Sequence, residues 1–327
     1  MFTIARNAFL ESIRQPVFAV LVLSGILALA LNLSLAAFTL DDDNKILVDL
    51  GLSTLFLCGM LLAACTATTV LTREIENRTV LTVVSKPVPR PAVVIGKYLG
   101  VAAALAVGFG TLAAAFLFTV RQGVPAGIEE EGAIDGPALV FGLLAVAAAV
   151  AVAAAANYLR GRPFGSTFVA VQAFFAVIAL AGVWCLDRGW RVQSPMREWD
   201  GQLMIAVALV FEAVLLLAAV AIAASTRLGG AMTLLACVAV FLVGLVSEYF
   251  LGSILAGVPP RGGGWRWLAW PLYAAIPNLQ FFWAADALSQ GHELTLADLA
   301  GCSLYAAAMI TAVIALAVAL FQCRDVG

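Results

Sequence analysis

The chain consists of long apolar runs separated by short polar connections. A helix that crosses a bilayer needs about 20 mostly apolar residues, and runs of that length recur along the sequence. We predict eight membrane-spanning helices, at residues 16–38, 46–71, 92–120, 137–159, 165–186, 202–225, 229–256 and 298–321. Ala, Gly and Val dominate several runs, and such small residues let helices approach closely inside a membrane. The pattern predicts an all-α polytopic membrane protein, with residues 1–327 forming one helix bundle.

The composition agrees with this prediction. Hydrophobic residues make up 63% of the chain and charged residues 12%, with a mean hydropathy of +1.02. A soluble domain is about a quarter charged, so this chain lacks the polar surface that a water-soluble fold requires. The net charge of −2 carries no information about nucleic acid, and no basic patch suggests binding to it, so we expect no nucleic-acid partner. The cysteines show no metal-binding spacing and the single histidine, His292, cannot hold a metal alone, so we expect no metal or cofactor on this chain.

The first 15 residues mix apolar and charged side chains. Phe2, Ile4 and Phe9 alternate with Arg6 and Arg14 at spacings that favour an amphipathic helix lying on the membrane surface. The alternative is a charged flank without a fold of its own. The apolar run that follows is longer than the core of a signal peptide, which has about 7–15 residues, so we predict that it is a retained span.

The distribution of basic residues predicts the orientation, because Lys and Arg concentrate in the cytoplasmic loops of membrane proteins. With a cytoplasmic N-terminus and eight spans, both termini are cytoplasmic and eleven of the 18 Lys and Arg residues lie on that side. The acidic stretches 41–45 and 127–136 then lie outside. We therefore predict a multi-pass protein of the inner, or plasma, membrane with both termini in the cytoplasm.

One loop is at odds with this orientation. Residues 187–201 carry three arginines and would lie outside, together with Asp187, Glu198 and Asp200. One interpretation is that the loop folds on the outer surface by pairing these charges. The other is that the helix at 165–186 enters the membrane and returns without crossing, which would place the C-terminus outside. We prefer the first interpretation and eight spans.

The outer segment 257–297 is long and rich in aromatic residues. These are Trp265, Trp267, Trp270, Tyr273, Phe281, Phe282 and Trp283. Trp and Tyr are enriched at the level of the lipid headgroups, so we expect the segment to anchor the protein at the outer membrane surface. A role in stacking against a substrate is the alternative.

The most charged connection between two spans is 72–91. Thr72 is a suitable N-cap, and Glu74 and Arg78 form an i, i+4 pair in the favourable order. We therefore predict a short amphipathic helix over about 73–84. Prolines follow at positions 87, 89 and 91. Because proline favours extended backbone, we expect the chain to leave this helix and begin the third span near Ala92.

This connection resembles the first cytoplasmic loop of ABC transporter permeases of the type-2 exporter class. The stretch "TREIENRTVLTVVSKPVPRPAVVIGKYLG" matches an acidic helix of the form E-x-E-x-x-T, a S-K-P-V-x-R turn and a G-K-Y sequence at the start of the next span. The matching residues are Glu74, Glu76, Thr79, Ser85, Lys86, Pro87, Val88, Arg90, Gly96, Lys97 and Tyr98. Arg78 stands where the family often has a small glycine, and the tail carries Arg324 where the family often has two or three basic residues.

The resemblance implies the membrane subunit of an ATP-driven exporter, with the loop coupled to a separate ATP-binding subunit. The residues that it assigns to this coupling are Arg73, Glu74, Glu76, Thr79, Ser85, Lys86, Pro87 and Arg90. The sequence contains no G-x-x-x-x-G-K-[ST] motif. The pair Gly96-Lys97 does not provide one, because Tyr98 follows it where Ser or Thr would be required. ATP and magnesium are therefore expected on the partner chain, and this chain is not expected to be an enzyme. A second permease subunit, identical or different, is also implied.

Two acidic residues lie inside predicted spans. Glu212 falls in the middle of its span and Glu248 lies near the outer end of the next one. A charged side chain at the centre of a bilayer costs about 3 kcal/mol on insertion scales, so both are candidates for lining a transport pathway. The alternative is a carboxyl group that is hydrogen-bonded to neighbouring polar residues.

Two other classes of function stay open from the sequence alone. A polytopic membrane enzyme would need convergent catalytic groups at one depth, whereas Glu212 is alone there and His292 is distant in sequence. A membrane scaffold would have no ATP-binding partner. Transport is therefore the leading prediction.

Overall fold

A computed structural model describes residues 1–36, 43–76, 89–123, 135–195, 200–252, 266–289 and 293–322. Their helices are α1 (Phe2–Arg14), α2 (Pro16–Ala36), α3 (Asp43–Glu76), α4 (Arg90–Gln122), α5 (Gly136–Arg160), α6 (Phe164–Trp184), α7 (Gly201–Ser225), α8 (Gly230–Ser247), α9 (Arg266–Ala275), α10 (Ala285–Ser289) and α11 (Leu296–Gln322). A π-helical turn, Glu248–Gly252, continues α8, and a 3-10 turn, Gln280–Phe282, precedes α10. The all-α fold class predicted from the sequence is confirmed.

Eight of these helices are long and apolar enough to cross a membrane, which confirms the predicted number of spans. They are α2, α3, α4, α5, α6, α7, α8 with its π turn, and α11. Helix α6 is continuous over 21 residues, long enough to cross completely rather than to enter and return. The prolines Pro16, Pro91 and Pro137 each lie in a first helical turn, where proline's fixed φ and missing N–H are tolerated.

Helices α3, α4 and α7 form the centre of the bundle. In α7, 67% of the span is buried inside the protein, compared with 17% in α11. Helix α7 packs against α3, α4, α8 and α11, while α2, α5 and α6 pack on the other flank of α4. Small residues such as Ala206, Ala213 and Ala218 fill the contacts of α7 and permit the close packing expected from the composition.

Helix α1 packs against the first turns of α4 and buries one of its faces, which includes Ala8 and Ser12. A Cβ atom at Gly100 would overlap the Ala5 carbonyl oxygen and lie 2.6 Å from the Cβ atom of Ala8. A Cβ atom at Gly96 would lie 3.1 Å from the Cβ atom of Ile4. Glycines one turn apart on α4 therefore allow the two backbones to touch. We call this end of the bundle the α1 end, and the other the far end.

The beginning of the charged connection differs from the prediction. Helix α3 continues without a break through Thr72 to Glu76, so Thr72 does not cap a new helix. No Gly or Pro occurs between residues 61 and 76, and Arg and Glu are good helix formers, so nothing ends the helix where the chain leaves the apolar region. At 1.5 Å per residue the 34 residues of α3 extend for about 50 Å, well beyond the hydrocarbon thickness of about 30 Å. Residues 77–88 lie outside the described part of the chain.

Part of the aromatic segment 257–297 packs into the protein instead of remaining at the surface. Phe282 is 1% exposed, and Trp283 packs edge-on against Phe56 of α3 with 5.9 Å between ring centroids. Trp270, in contrast, is 69% exposed, as an interfacial residue would be. Aromatic rings fit both a lipid interface and a protein interior, so their number alone could not distinguish the two. Trp265 lies outside the described residues.

Candidate coupling site and intramembrane carboxylates

The two helices that flank the charged connection are joined by a buried lysine. Lys97 of α4 is 3% exposed, and its Nζ atom donates a hydrogen bond to the Val70 carbonyl oxygen of α3 at 2.9 Å. Val70 lies near the end of the apolar part of α3, two residues before Thr72. An ammonium group removed from water needs such an acceptor, and hydrogen bonds to charged donors are stronger than neutral ones. Lys97 therefore fixes the end of the α3 span to the first turns of α4.

Arginines from two parts of the chain cap the end of α11. Arg90, the first residue of α4, donates from Nη1 to the Gln322 carbonyl oxygen at 2.9 Å. Arg227, between α7 and α8, donates from Nη2 to the Leu320 carbonyl oxygen at 3.0 Å. The last carbonyls of a helix lack intrahelical donors and carry partial negative charge, which favours cations there. The start of α4, the α7–α8 turn and the end of α11 thus meet at the α1 end.

The G-K-Y sequence of α4 contacts three different helices. Gly96 allows α1 to approach, and Lys97 bonds to α3. Tyr98 is buried, and its hydroxyl donates to the Leu215 carbonyl oxygen of α7 at 3.4 Å. These three residues follow the charged connection and link it to the centre of the bundle. The sequence identified them by resemblance, and the structure gives each a specific contact.

The residues predicted for ATPase coupling divide into two groups. Arg73, Glu74 and Glu76 lie on the last turns of α3, and Arg90 begins α4. The others, Thr79, Ser85, Lys86 and Pro87, lie outside the described residues. The described members of the set therefore lie on the two helix ends that border the connection.

Glu212 lies in the middle of α7 and contacts α11. Its Oε1 atom accepts a hydrogen bond from the Ser303 hydroxyl. Its Oε2 atom is buried and has no hydrogen-bond partner among the described residues. One hydroxyl donor cannot satisfy the acceptors of a carboxylate, so this group carries an uncompensated cost of burial.

Glu248, the first residue of the π turn, lies in a hydrogen-bond cluster. Its Oε2 atom accepts from the Tyr273 hydroxyl and from Asn278 Nδ2, each at 2.7 Å. The Asn278 backbone N–H in turn donates to the Tyr305 hydroxyl oxygen at 2.8 Å. The hydrogen bond to Glu248 raises the pKa of Tyr273 above its ordinary value. These contacts attach the segment 266–289 to α8 and α11, in keeping with the hydrogen-bonded alternative for Glu248.

A buried ion pair at the far end was not predicted from the sequence. Arg121 Nε donates to Asp135 Oδ2 at 2.9 Å, and Asp135 is fully buried. Asp135 Oδ1 also accepts from the Ala138 N–H at 2.8 Å and so caps α5. The Arg121 guanidinium further donates to the carbonyl oxygens of Val183 and Leu186 at the end of α6. The sequence signal for this cap is Asp135 itself, which stands directly before Gly136 and Pro137 at the start of an apolar run.

In the loop at 187–201, the side chains of Asp187, Arg188 and Asp200 contact groups other than one another's side chains. The guanidinium of Arg188 lies 4.0 Å from Asp135, and Asp187 accepts from the Arg188 backbone N–H. Asp200 caps α7 by accepting from the Gln202 and Leu203 N–H groups. The loop thus supports helix ends, and Arg197 and Glu198 lie outside the described residues.

These contacts define an integral membrane protein of eight apolar helices, with a charged connection tied to its central helices. The family model described as ABC-2 family transporter protein matches residues 2–185, more than half of the chain. The chain belongs to this family, and the resemblance noted in the charged connection is confirmed. The matched region runs from α1 to the end of α6 and includes the whole connection. No curated protein matches the chain. The protein is a multi-pass membrane component of the ABC transporter class.

Proposed function

We propose that this chain is the permease subunit of an ATP-driven exporter of the plasma membrane. In this proposal the α1 end faces the cytoplasm, and the connection at 72–91 contacts a separate ATP-binding subunit. ATP and magnesium bind to that subunit. Family membership supports the assignment of this chain as a permease. We further propose its coupling to ATP hydrolysis, the outward direction of transport and its orientation in the membrane.

The observation that supports coupling most directly is the attachment of the connection to central helices. Both α3 and α4, which lead into and out of it, are among the most buried helices of the bundle. Lys97 joins them, and α1 holds α4 at Gly96 and Gly100. A force applied to the connection would therefore move α3 and α4 together with their neighbours, because packed interiors transmit displacement. A loop anchored on peripheral helices would lack this property.

A second permease subunit completes the proposed transporter. Helix α11 leaves most of its surface uncovered within one copy of the chain. Its exposed positions include Ala308 and Ala312. Small residues of this kind support close contact between membrane helices. The partner is either a second copy or a related permease, with the transport path formed between the two.

Glu212 is the stronger of the two proposed pathway residues. Its buried Oε2 atom lacks a partner in the described structure, whereas Glu248 is held by two donors. In the proposal, Glu212 presents this oxygen to cargo or to a cation during transport. Glu212→Gln is then expected to alter ATP hydrolysis by the assembled transporter more than Glu248→Gln does, with binding of the ATP-binding subunit unchanged. Equal rates of ATP hydrolysis with wild type and with Glu212→Gln would show that Glu212 does not line the transport pathway.

Affinity purification tests the proposed partner. The tagged full-length chain is isolated from its native membranes, and the proteins bound to it are identified by mass spectrometry. We expect an ATP-binding subunit to copurify with wild type and to be lost with the double variant Glu74→Lys/Lys86→Glu. Glu293→Lys, an exposed reversal at the far end, is the matched control and retains the subunit. Absence of any such subunit from the wild-type preparation would favour a membrane scaffold instead.

A further inference from the structure

A cavity of about 220 Å³ lies between α2, α4, α5 and α6, toward the far end of the bundle. Its walls are mainly apolar and include Ile26 of α2, Ala115 of α4, Val146 of α5 and Ala176 of α6. Its described lining contains no charged side chain. This chemistry suits a neutral, largely apolar molecule, because a charged one would be desolvated without a counter-charge.

The lining of the cavity reaches the outside of the bundle along α5. Leu139 and Leu143 of α5 line the cavity and are also 47% and 64% exposed on the outside of the bundle. Leu27 and Leu31 are exposed on the neighbouring face of α2. In a membrane these leucines contact lipid chains. A molecule dissolved in the bilayer can therefore reach the cavity without passing through water.

Gln172 supplies a hydrogen-bond acceptor inside this apolar space. It is 4% exposed, lines the cavity, and has a buried Oε1 atom without a partner among the described residues. Buried polar atoms are nearly always hydrogen-bonded, so an unpaired acceptor at a cavity indicates a donor that arrives from outside the chain.

The other polar groups in the cavity wall already have partners. The hydroxyls of Thr111 and Thr119 donate to the carbonyl oxygens of Val107 and Phe116 within α4. The Gln122 amide, in the orientation that satisfies both of its ends, donates to and accepts from the Asp135 backbone at 3.1 Å. Among the described polar groups of the cavity wall, Gln172 Oε1 is therefore the acceptor that is left for a donor from a bound molecule.

We propose that this cavity binds a lipid-soluble molecule with an apolar body and one hydroxyl or N–H group that donates to Gln172 Oε1. The molecule enters from the bilayer past Leu139 and Leu143. Such a site combines a hydrophobic enclosure with one directional polar contact, which is the usual composition of a small-molecule pocket. The proposal does not depend on ATP coupling, because it rests on the cavity of one chain.

A competition experiment with a matched pair of probes tests this site. The full-length chain in lipid nanodiscs is photolabelled with a diazirine-bearing decanol, and the label is mapped by peptide mass spectrometry. We expect labelled peptides from α2, α4, α5 and α6, and unlabelled decanol should compete about fivefold better than decane because only the alcohol donates a hydrogen bond. Equal competition by the two would mean that water satisfies Gln172, and labelling confined to other helices would mean that the cavity is not the site. Either result overturns the proposal.

Variants separate the acceptor from the cavity. Gln172→Met keeps the side-chain length, so decanol should lose its fivefold advantage while decane competes as before. Gln15→Met is the control, because Gln15 is also a buried glutamine without side-chain partners in the described structure but does not line this cavity. It should leave both probes unchanged. Ala176→Leu and, separately, Ala115→Leu fill the space and should abolish labelling in chains that still elute as folded protein. Retained decanol preference in Gln172→Met would contradict the assigned acceptor.

Discussion

Three consecutive residues at the start of α4 show how single side chains position the charged connection. Gly96, Lys97 and Tyr98 contact α1, α3 and α7 respectively. The sequence could single them out only by resemblance, because a lysine beside an apolar run ordinarily extends to the water boundary. Lys97 instead points into the bundle, where the Val70 carbonyl oxygen accepts from it. Which acceptor a buried cation meets depends on how two distant helices are oriented, and no local pattern encodes that.

The first prediction concerns this lysine. Lys97→Met removes a hydrogen bond from a charged donor, and we expect a loss of about 2 kcal/mol in the free energy of unfolding. Thermal unfolding of the detergent-solubilised protein should show a Tm several degrees below that of wild type. Arg162→Met, which removes an exposed cation at the same end of the bundle, is the control and should leave Tm unchanged. A Tm for Lys97→Met equal to the control would show that the contact with Val70 contributes no stability.

A second residue-scale prediction concerns the far-end ion pair. Asp135→Ala leaves the Arg121 guanidinium, with 8% of its side chain exposed, without its carboxylate and also removes the cap of α5. We expect a cost of about 3 kcal/mol. Asp135→Asn retains an acceptor for the Ala138 N–H and should lose less. Adding Arg121→Met to Asp135→Ala should recover part of the loss, since the unpaired charge is then removed. Measured Tm values in the reverse order would contradict this account.

At the scale of helices, the length of the apolar runs predicted all eight spans found among the described residues, because each needs only a long apolar run. The predicted helix ends, and the placement of the segments between helices, were less accurate. Helix α3 extends five residues beyond its predicted end at residue 71, since the chain contains no helix breaker there. The segment at 277–289 packs Phe282 against the bundle, which aromatic content alone could not indicate. Lipid and protein interior favour the same side chains, so a sequence pattern cannot tell which of them a ring contacts.

The packing of α1 against α4 gives an element-scale prediction. Gly100→Ala places a methyl group where the Ala5 carbonyl oxygen and the Ala8 Cβ atom lie, so α1 must move away from α4. We expect faster amide hydrogen exchange throughout α1. Gly110→Ala is the matched control on the same helix, because no described atom lies within 4 Å of the added Cβ, and it should stabilise α4 slightly. Unchanged exchange in Gly100→Ala would mean that the close approach is not required.

The whole molecule combines an even number of spans with helix ends that meet at one end. Arg90 joins the start of α4 to the end of α11, so α1 and the end of the last span lie at the same end of the bundle. Eight spans require this arrangement, and the sequence predicted it from the number of apolar runs. The family could also be recognised, because the charged connection is locally encoded. Its contact with a partner could not be derived from this chain, since the groove that would receive it belongs to another protein.

Orientation gives a whole-molecule prediction. The basic residues at the α1 end favour the cytoplasm, so a reporter fused after Gly327 should be active in the cytoplasm. A second reporter inserted at residue 130, between α4 and α5, should report the opposite side. If the C-terminal reporter and the inserted one are both found outside, the number of spans is odd, which contradicts a bundle of eight crossing helices.

ATP hydrolysis by the reconstituted complex tests the central claim most directly. The ATP-binding subunit is assayed in nanodiscs with wild-type chain, with Glu74→Lys/Lys86→Glu, and with the far-end control Glu293→Lys. We predict that wild type and control stimulate hydrolysis equally and that the double reversal reduces the stimulation by about tenfold or more, because several charge contacts of the connection are reversed. Stimulation by the double variant equal to that of wild type would contradict coupling through residues 72–91.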